Sequence, residues 1–111
     1  MNQVYIKNMD HEKVHSLADQ VQVLKGQVVS KTLTQNQAVS ITLFAFDAGE
    51  EIGTHDSKGD AMVMVLEGEG QFVVNGKTHV VKAGETLIMP ANLPHAVLAK
   101  QSFKMLLVVV F

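Results

Sequence analysis

Two of the chain's five histidines stand in ordered surroundings. Gly49, five residues, His55 and then Gly68 form one series. Gly84, five residues, Pro90 and then His95 form a second. An imidazole titrates near neutrality, so it can move protons or ligate a metal. Two such rings turned into an apolar pocket can also hold a carboxylate or an enolate. The plainer alternative is a hydrogen-bonded polar pair lining a cavity with no metal. His79 falls on a hairpin opposite Phe72, where its plain reading is a ring packed against Phe72. Its functional reading is a further ligand reaching the same cavity. His11 and His15 are four apart and would share a helical face. With no third ligand near them, they read as a solvated pair.

Other side chains narrow the chemistry. There is no cysteine, which excludes disulfides, thiol catalysis, zinc ribbons and iron–sulfur clusters. Glu50, Glu51, Glu67, Glu69 and Glu85 all fall at expected turns. They read as solvated rim charges, because no spacing among them fixes a paired acid and base. Gly68-Glu69-Gly70 is no phosphate loop, since no helix follows it. The six methionines are many for this length. Met62, Met64 and Met89 fall on expected strands and line either the core or a subunit interface.

These residues need a scaffold, and the composition bounds it. A chain of 111 residues has room for one domain, residues 1–111. Apolar residues make up 47% and charged residues 18%, a globular composition. Nine Lys plus Arg against eleven Asp plus Glu leave no basic footprint for nucleic acid or an anionic membrane. No apolar run approaches the ~20 residues of a spanning helix. Residues 1–7 lack a basic region followed by an apolar core, so no signal peptide is expected and the expected location is cytoplasmic.

The elements read as short strands. Residues 4–6 are a candidate strand. Asp10 would cap a helix carrying Val14, Leu17, Ala18 and Val21. From Val21 the pattern turns β-rich: residues 21–24, 28–33, 39–46, 61–67, 71–74, 86–89, 95–99 and 104–111 read as strands. Asn75-Gly76 between apolar runs predicts a two-residue type I′ hairpin pairing Val74 with Lys77, Phe72 with His79 and Gly70 with Val81. The expected architecture is all-β, an antiparallel sandwich or barrel.

The ordered series of turn, His, hairpin, turn, Pro and His resembles the cupin family of small β-barrels. The resemblance covers roughly residues 35–111, with residues 1–34 as an N-terminal segment and first strands. It implies an antiparallel double-stranded β-helix, or jelly-roll barrel. It also implies metal-ligand positions at 55, 57, 61 and 95, of which only His55 and His95 carry a ligand. Ser57 and Ala61 occupy the others, Asn92 replaces a family glycine, and Ala99 replaces a family asparagine. Side chains alternate along a strand, so 55, 57 and 61 share the inward face if pairing is regular. Asp56 has the opposite parity, but an irregular loop after Gly53 would redirect it. Minimal metal centres hold three or four protein ligands, so two imidazoles bind weakly.

Two functions follow. The first is a binding module that takes a small molecule in an apolar cavity lined by His55, Ser57, Ala61, Phe72, His79, Met89 and His95. The second is a metal-dependent dioxygenase, isomerase or lyase, with Mn, Fe, Ni or Zn on His55 and His95. A homodimer is also expected. Residues 105–111 are apolar at every position, and so nearly are residues 39–46. One face of such strands packs in the barrel, and the other needs a cover. A second subunit or the N-terminal segment would supply it, and the second subunit is the more economical.

Overall fold

The computed structural model describes residues 4–111; the signal-peptide reading of residues 1–7 therefore rests partly on residues outside that range. Nine strands form two antiparallel sheets: β1 (Val28–Gln35), β2 (Val39–Phe46), β3 (Glu51–His55), β4 (Asp60–Glu67), β5 (Glu69–Val74), β6 (Lys77–Lys82), β7 (Thr86–Met89), β8 (His95–Leu98) and β9 (Phe103–Val110). One sheet runs β1-β2-β9-β4-β7 and the other β3-β8-β5-β6. Every connection except β1–β2 and β5–β6 crosses between sheets. This winding closes the jelly roll that an all-β pattern of short strands predicts.

Strict alternation selects the inner face. Along β4, Ala61, Val63 and Val65 are buried, and along β5, Gly70, Phe72 and Val74 are. The aromatic core sits at one end. Phe46 and Phe103 stack at 4.7 Å, and Phe72 meets Phe103 edge-on at 6.2 Å. Gly70 makes room for them, because a Cβ there would lie 2.7 Å from the Phe103 ring. The β5–β6 hairpin has the register expected from its dipeptide, with Val74 opposite Lys77, Phe72 opposite His79 and Gly70 opposite Val81. Both turn residues have positive φ, 50° at Asn75 and 82° at Gly76.

Residues 4–24 depart from their sequence reading. Neither the strand over residues 4–6 nor that over 21–24 forms, and the helix from Asp10 shrinks to a 3-10 turn, Leu17–Gln20, with no side-chain capping bond from Ser16 before it. Asn8 and Glu12 have φ of 65° and 56°, which a right-handed helix excludes. His11 and His15 each use Nε2 on a backbone carbonyl, of Ile6 and Asp10, at 2.8 Å. They are local clips on an irregular chain. Tertiary packing wins because this segment covers the outer face of the larger sheet. Met9, Leu17, Val21 and Val23 pack on Leu33, Leu43, Ala45 and Leu106.

The segment is also tied down by polar groups. The Lys7 amide donates to the Leu33 carbonyl at 2.7 Å, and the Lys31 ammonium to Gln20 Oε1 at 3.0 Å. Lys104, buried on β9, donates to the Ala18 carbonyl at 2.6 Å and lies 3.6 Å from the Glu67 carboxylate. Part of the apolar outer face therefore has an intrachain cover. The part around Met62, Met64, Ile88 and Val108 lies outside that cover and stays partly or fully exposed. β3 was not expected as a strand, because Asp47-Ala48-Gly49-Glu50-Glu51 reads as a break; its pairing with β8 is irregular between Ile52 and His55.

Candidate functional site

At the end of the sandwich opposite the aromatic stack, β3 and β8 bring His55 and His95 side by side as Cα partners. Their ring centroids are 4.3 Å apart at 65°. His95 opens β8 and is only 4% exposed, whereas His55 stands at the solvent end. Each ring is held the same way. His55 Nδ1 lies 2.8 Å from the Gly53 carbonyl and His95 Nδ1 3.1 Å from the Leu93 carbonyl. A carbonyl only accepts, so each Nδ1 carries the hydrogen and each neutral ring keeps its lone pair on Nε2.

The two rings belong to a cavity of ≈ 290 Å³ between the sheets. Its apolar walls come from both sides: Ile52 and Val97 from the smaller sheet, Ala61, Met89, Leu107 and Val109 from the larger. Met105 also lines it, and the remaining polar groups are Asp56 and Ser57. The rim is stapled. The Ser57 carbonyl accepts from the Asn92 amide at 2.7 Å, Asp60 Oδ1 accepts from the Ala91 amide at 2.8 Å, and Ser57 Oγ accepts from the Gly59 amide at 3.2 Å. The first two of these bonds join the β3–β4 loop and the start of β4 to the β7–β8 loop, and the third closes the β3–β4 loop on itself.

Of the residues singled out by sequence, His55, Ser57, Ala61, Met89 and His95 line this cavity. Phe72 is fully buried in the core. His79 faces a separate shallow hollow with Glu85, Thr86 and Leu87, because β6 lies at the edge of its sheet, two strands from His95. The loop over residues 56–59 leaves the strand pattern, so Asp56 as well as Ser57 reaches the cavity. Sequence reasoning passed over Ile52, Val97, Met105, Leu107 and Val109. For the last three the signal was present: they share inward parity on β9.

A cupin-domain profile matches residues 42–111. The chain belongs to the cupin family. This cupin is similar over 97% of its length to a conserved protein of unknown function from Streptococcus pyogenes, with 45% identity, a TM-score of 0.95 and 95% of that chain covered. It is similar to a cupin superfamily protein from Desulfitobacterium hafniense, with 30% identity, a TM-score of 0.92, and 97% of this chain and 99% of that one covered. A cupin 2 conserved barrel domain protein from Leptotrichia buccalis shares 43% identity at a TM-score of 0.83, over 85% of this chain and 46% of that one. No curated protein matches the chain.

Cupins often bind metals, and a metal needs several donors that converge on one point. Among the described residues, no three His, Cys, Asp or Glu side chains converge as a metal requires. Ala61 offers no donor atom, and the Ser57 hydroxyl is a poor ligand while neutral. The residues of this cupin therefore do not fit a three- or four-ligand Mn, Fe, Ni or Zn centre.

Proposed function

We propose that this cupin is a binding module for a small apolar acid. The observation that carries the reading is the pair of imidazoles, each anchored through Nδ1, at one end of an otherwise apolar cavity. Small-molecule sites combine apolar walls with a few convergent polar groups in this way. A carboxylic acid entering the cavity transfers its proton to one Nε2. The resulting imidazolium donates that N–H back to the carboxylate, a charge-assisted hydrogen bond. The hydrocarbon part of the acid then replaces water against Ala61, Met89, Val97 and Val109. At ≈ 290 Å³ the cavity lies at the small end of the usual range of about 300–1,000 Å³, which favours a short chain or a single ring.

Calorimetric titration of metal-free, tag-free protein with straight-chain acids from acetate to hexanoate tests this. Each added methylene should strengthen binding by about 0.8 kcal/mol until the cavity is full. His95→Gln should weaken hexanoate by about tenfold, because it loses the charge-assisted bond. No saturable heat with any acid at millimolar concentration would overturn the reading. The competing reading, a metal-dependent dioxygenase, isomerase or lyase, has one observation in its favour: imidazole ligands are commonly anchored through the other ring nitrogen. Stoichiometric Mn, Fe, Ni or Zn in protein purified without a histidine tag would favour it.

A further inference from the structure

We propose that the paired imidazoles make the cavity an enolisation site for short-chain 2-oxo acids: His95 holds the oxygens of the acid, and His55 takes a hydrogen from C3, the carbon beside the ketone. The proposal rests on the acid-binding reading and adds a reaction to it. Its starting point is the number of rings. One imidazolium suffices to hold a carboxylate, yet two rings stand side by side with centroids 4.3 Å apart. Both Nδ1 atoms are engaged with backbone carbonyls, at 2.8 Å for His55 and 3.1 Å for His95. A simple acid therefore leaves the second ring neutral, with a lone pair on Nε2. A neutral imidazole beside a bound carbonyl compound is a base.

Charge selects the substrate class. Two imidazolium ions this close repel each other, so the second ring gains a proton only if the ligand gains a negative charge in the same step. A 2-oxo acid does so. Its carboxylate pairs with the first ring, and loss of a C3 hydrogen turns its ketone into an enolate, a dianion facing two imidazolium ions. In that step Nε2 of His55 takes the proton, the C–H electron pair becomes the C2–C3 double bond, and the ketone π pair moves onto oxygen. The His95 N–H, shared by the carboxylate and the adjoining oxygen, stabilises that charge. The return step puts a proton from His55 back on C3, so atoms and charge balance. Burial assigns the two roles. His95 is 4% exposed, so its charge depends on pairing with the bound anion. His55 stands at the solvent end, where its N–H exchanges with water between the two steps. Asp56 lines the cavity from its exposed rim, where water screens it from the anion. The register places the rest of the substrate. His55 and His95 form one rung of the β3–β8 pair, and Ile52 and Val97 form an apolar rung farther from the solvent end. Both of the latter line the cavity, so the alkyl chain beyond C3 lies on them while the oxygens stay at the imidazoles.

The test is hydrogen exchange at C3 of 2-oxohexanoate in D2O, followed by proton NMR on metal-free, tag-free protein, with calorimetry of the same ligand. Wild type should replace the C3 hydrogens by deuterium at a rate that is proportional to protein, saturates with ligand and is suppressed by hexanoate. His55→Gln should slow the exchange at saturation by about 100-fold or more while leaving the affinity for 2-oxohexanoate nearly unchanged. His95→Gln should weaken that affinity by about tenfold as well as slow the exchange. Thermal melts establish that both variants are folded. Saturable binding of 2-oxohexanoate with exchange no faster than in protein-free buffer, or undiminished exchange in His55→Gln, would overturn the enolisation and leave the acid-binding reading standing. No saturable heat with either 2-oxohexanoate or hexanoate would overturn the acid-binding reading itself, and the enolisation with it.

Discussion

Ser57 and Ala61 decide the chemistry of the cavity by what they lack. Both line it beside His55 and His95, so longer donors there should meet the two rings. Ser57→His combined with Ala61→Glu supplies three imidazoles and a carboxylate, a set suited to a divalent ion. The expected outcome is a new Mn(II) or Ni(II) site in isothermal titration, absent in wild type. No gain would mean that the four side chains do not converge. The exchange carries a cost of about 1 kcal/mol, because Ser57 Oγ accepts the Gly59 amide at 3.2 Å. A slightly lower melting temperature without metal is therefore expected, recovered when the ion is added. His55 and His95 were legible as a pair from their surroundings in sequence. Asp56 was not fixed by strand parity, because the loop over residues 56–59 leaves the ladder.

Among the elements, the β5–β6 hairpin is the most local. Asn75 and Gly76 both sit at positive φ, and a Cβ at Gly76 would meet nothing within 4 Å. Any cost of substitution there is conformational rather than steric. Gly76→Val should destabilise by about 1–2 kcal/mol, whereas Gly76→Asn, which tolerates this conformation, should cost much less. Equal melting temperatures for the two variants would contradict this account of the turn. The N-terminal segment depends on distant contacts. Lys104 Nζ holds the Ala18 carbonyl at 2.6 Å, and Lys104→Met keeps the apolar stem while removing the donor. The expected loss is about 1–3 kcal/mol from the unpaired carbonyl. Amide exchange should accelerate over Leu17–Gln20 and not in the hairpin. Unchanged exchange at those four residues would show that packing alone holds the turn. No local signal in residues 4–24 encodes this path, because its partners, Leu43, Ala45 and Lys104, lie far along the chain.

At the scale of the whole molecule, the outer face of the larger sheet is only partly covered. Its N-terminal cover reaches Leu43, Ala45 and Leu106. Beyond it, an apolar row crosses three strands: Ile88, Met62 and Val108 are successive cross-strand partners. Ile88 is 59% exposed and the neighbouring Met64 36%. The expected outcome is a homodimer that joins these rows about a two-fold axis, burying ~1,200 Å² or more if permanent. Light scattering after size exclusion should give the dimer mass at tens of micromolar, and Ile88→Lys the monomer mass. A monomeric wild type would mean that the intrachain cover is sufficient. Among the described residues, no helix is long and apolar enough to cross a membrane.

The sequence by itself determined what depends on neighbours in the chain. Period-two burial, the Asn-Gly turn and the ordered spacing of glycine, proline and histidine specified an all-β barrel carrying His55 and His95. Each of these signals acts within a strand or a turn, where φ preference and side-chain alternation operate. Only the tertiary structure decided which residues share the cavity. Met89 and Val109 meet there because β4 pairs with both β7 and β9. His79 is excluded because β6 is an edge strand, and Phe72 because it is buried in the aromatic core. The N-terminal helix fails because burying Leu17 and Val21 on a distant sheet outweighs a weak, short helical preference. Contacts between residues far apart in sequence leave no periodic trace in either partner, so they become visible only once the sheets have closed.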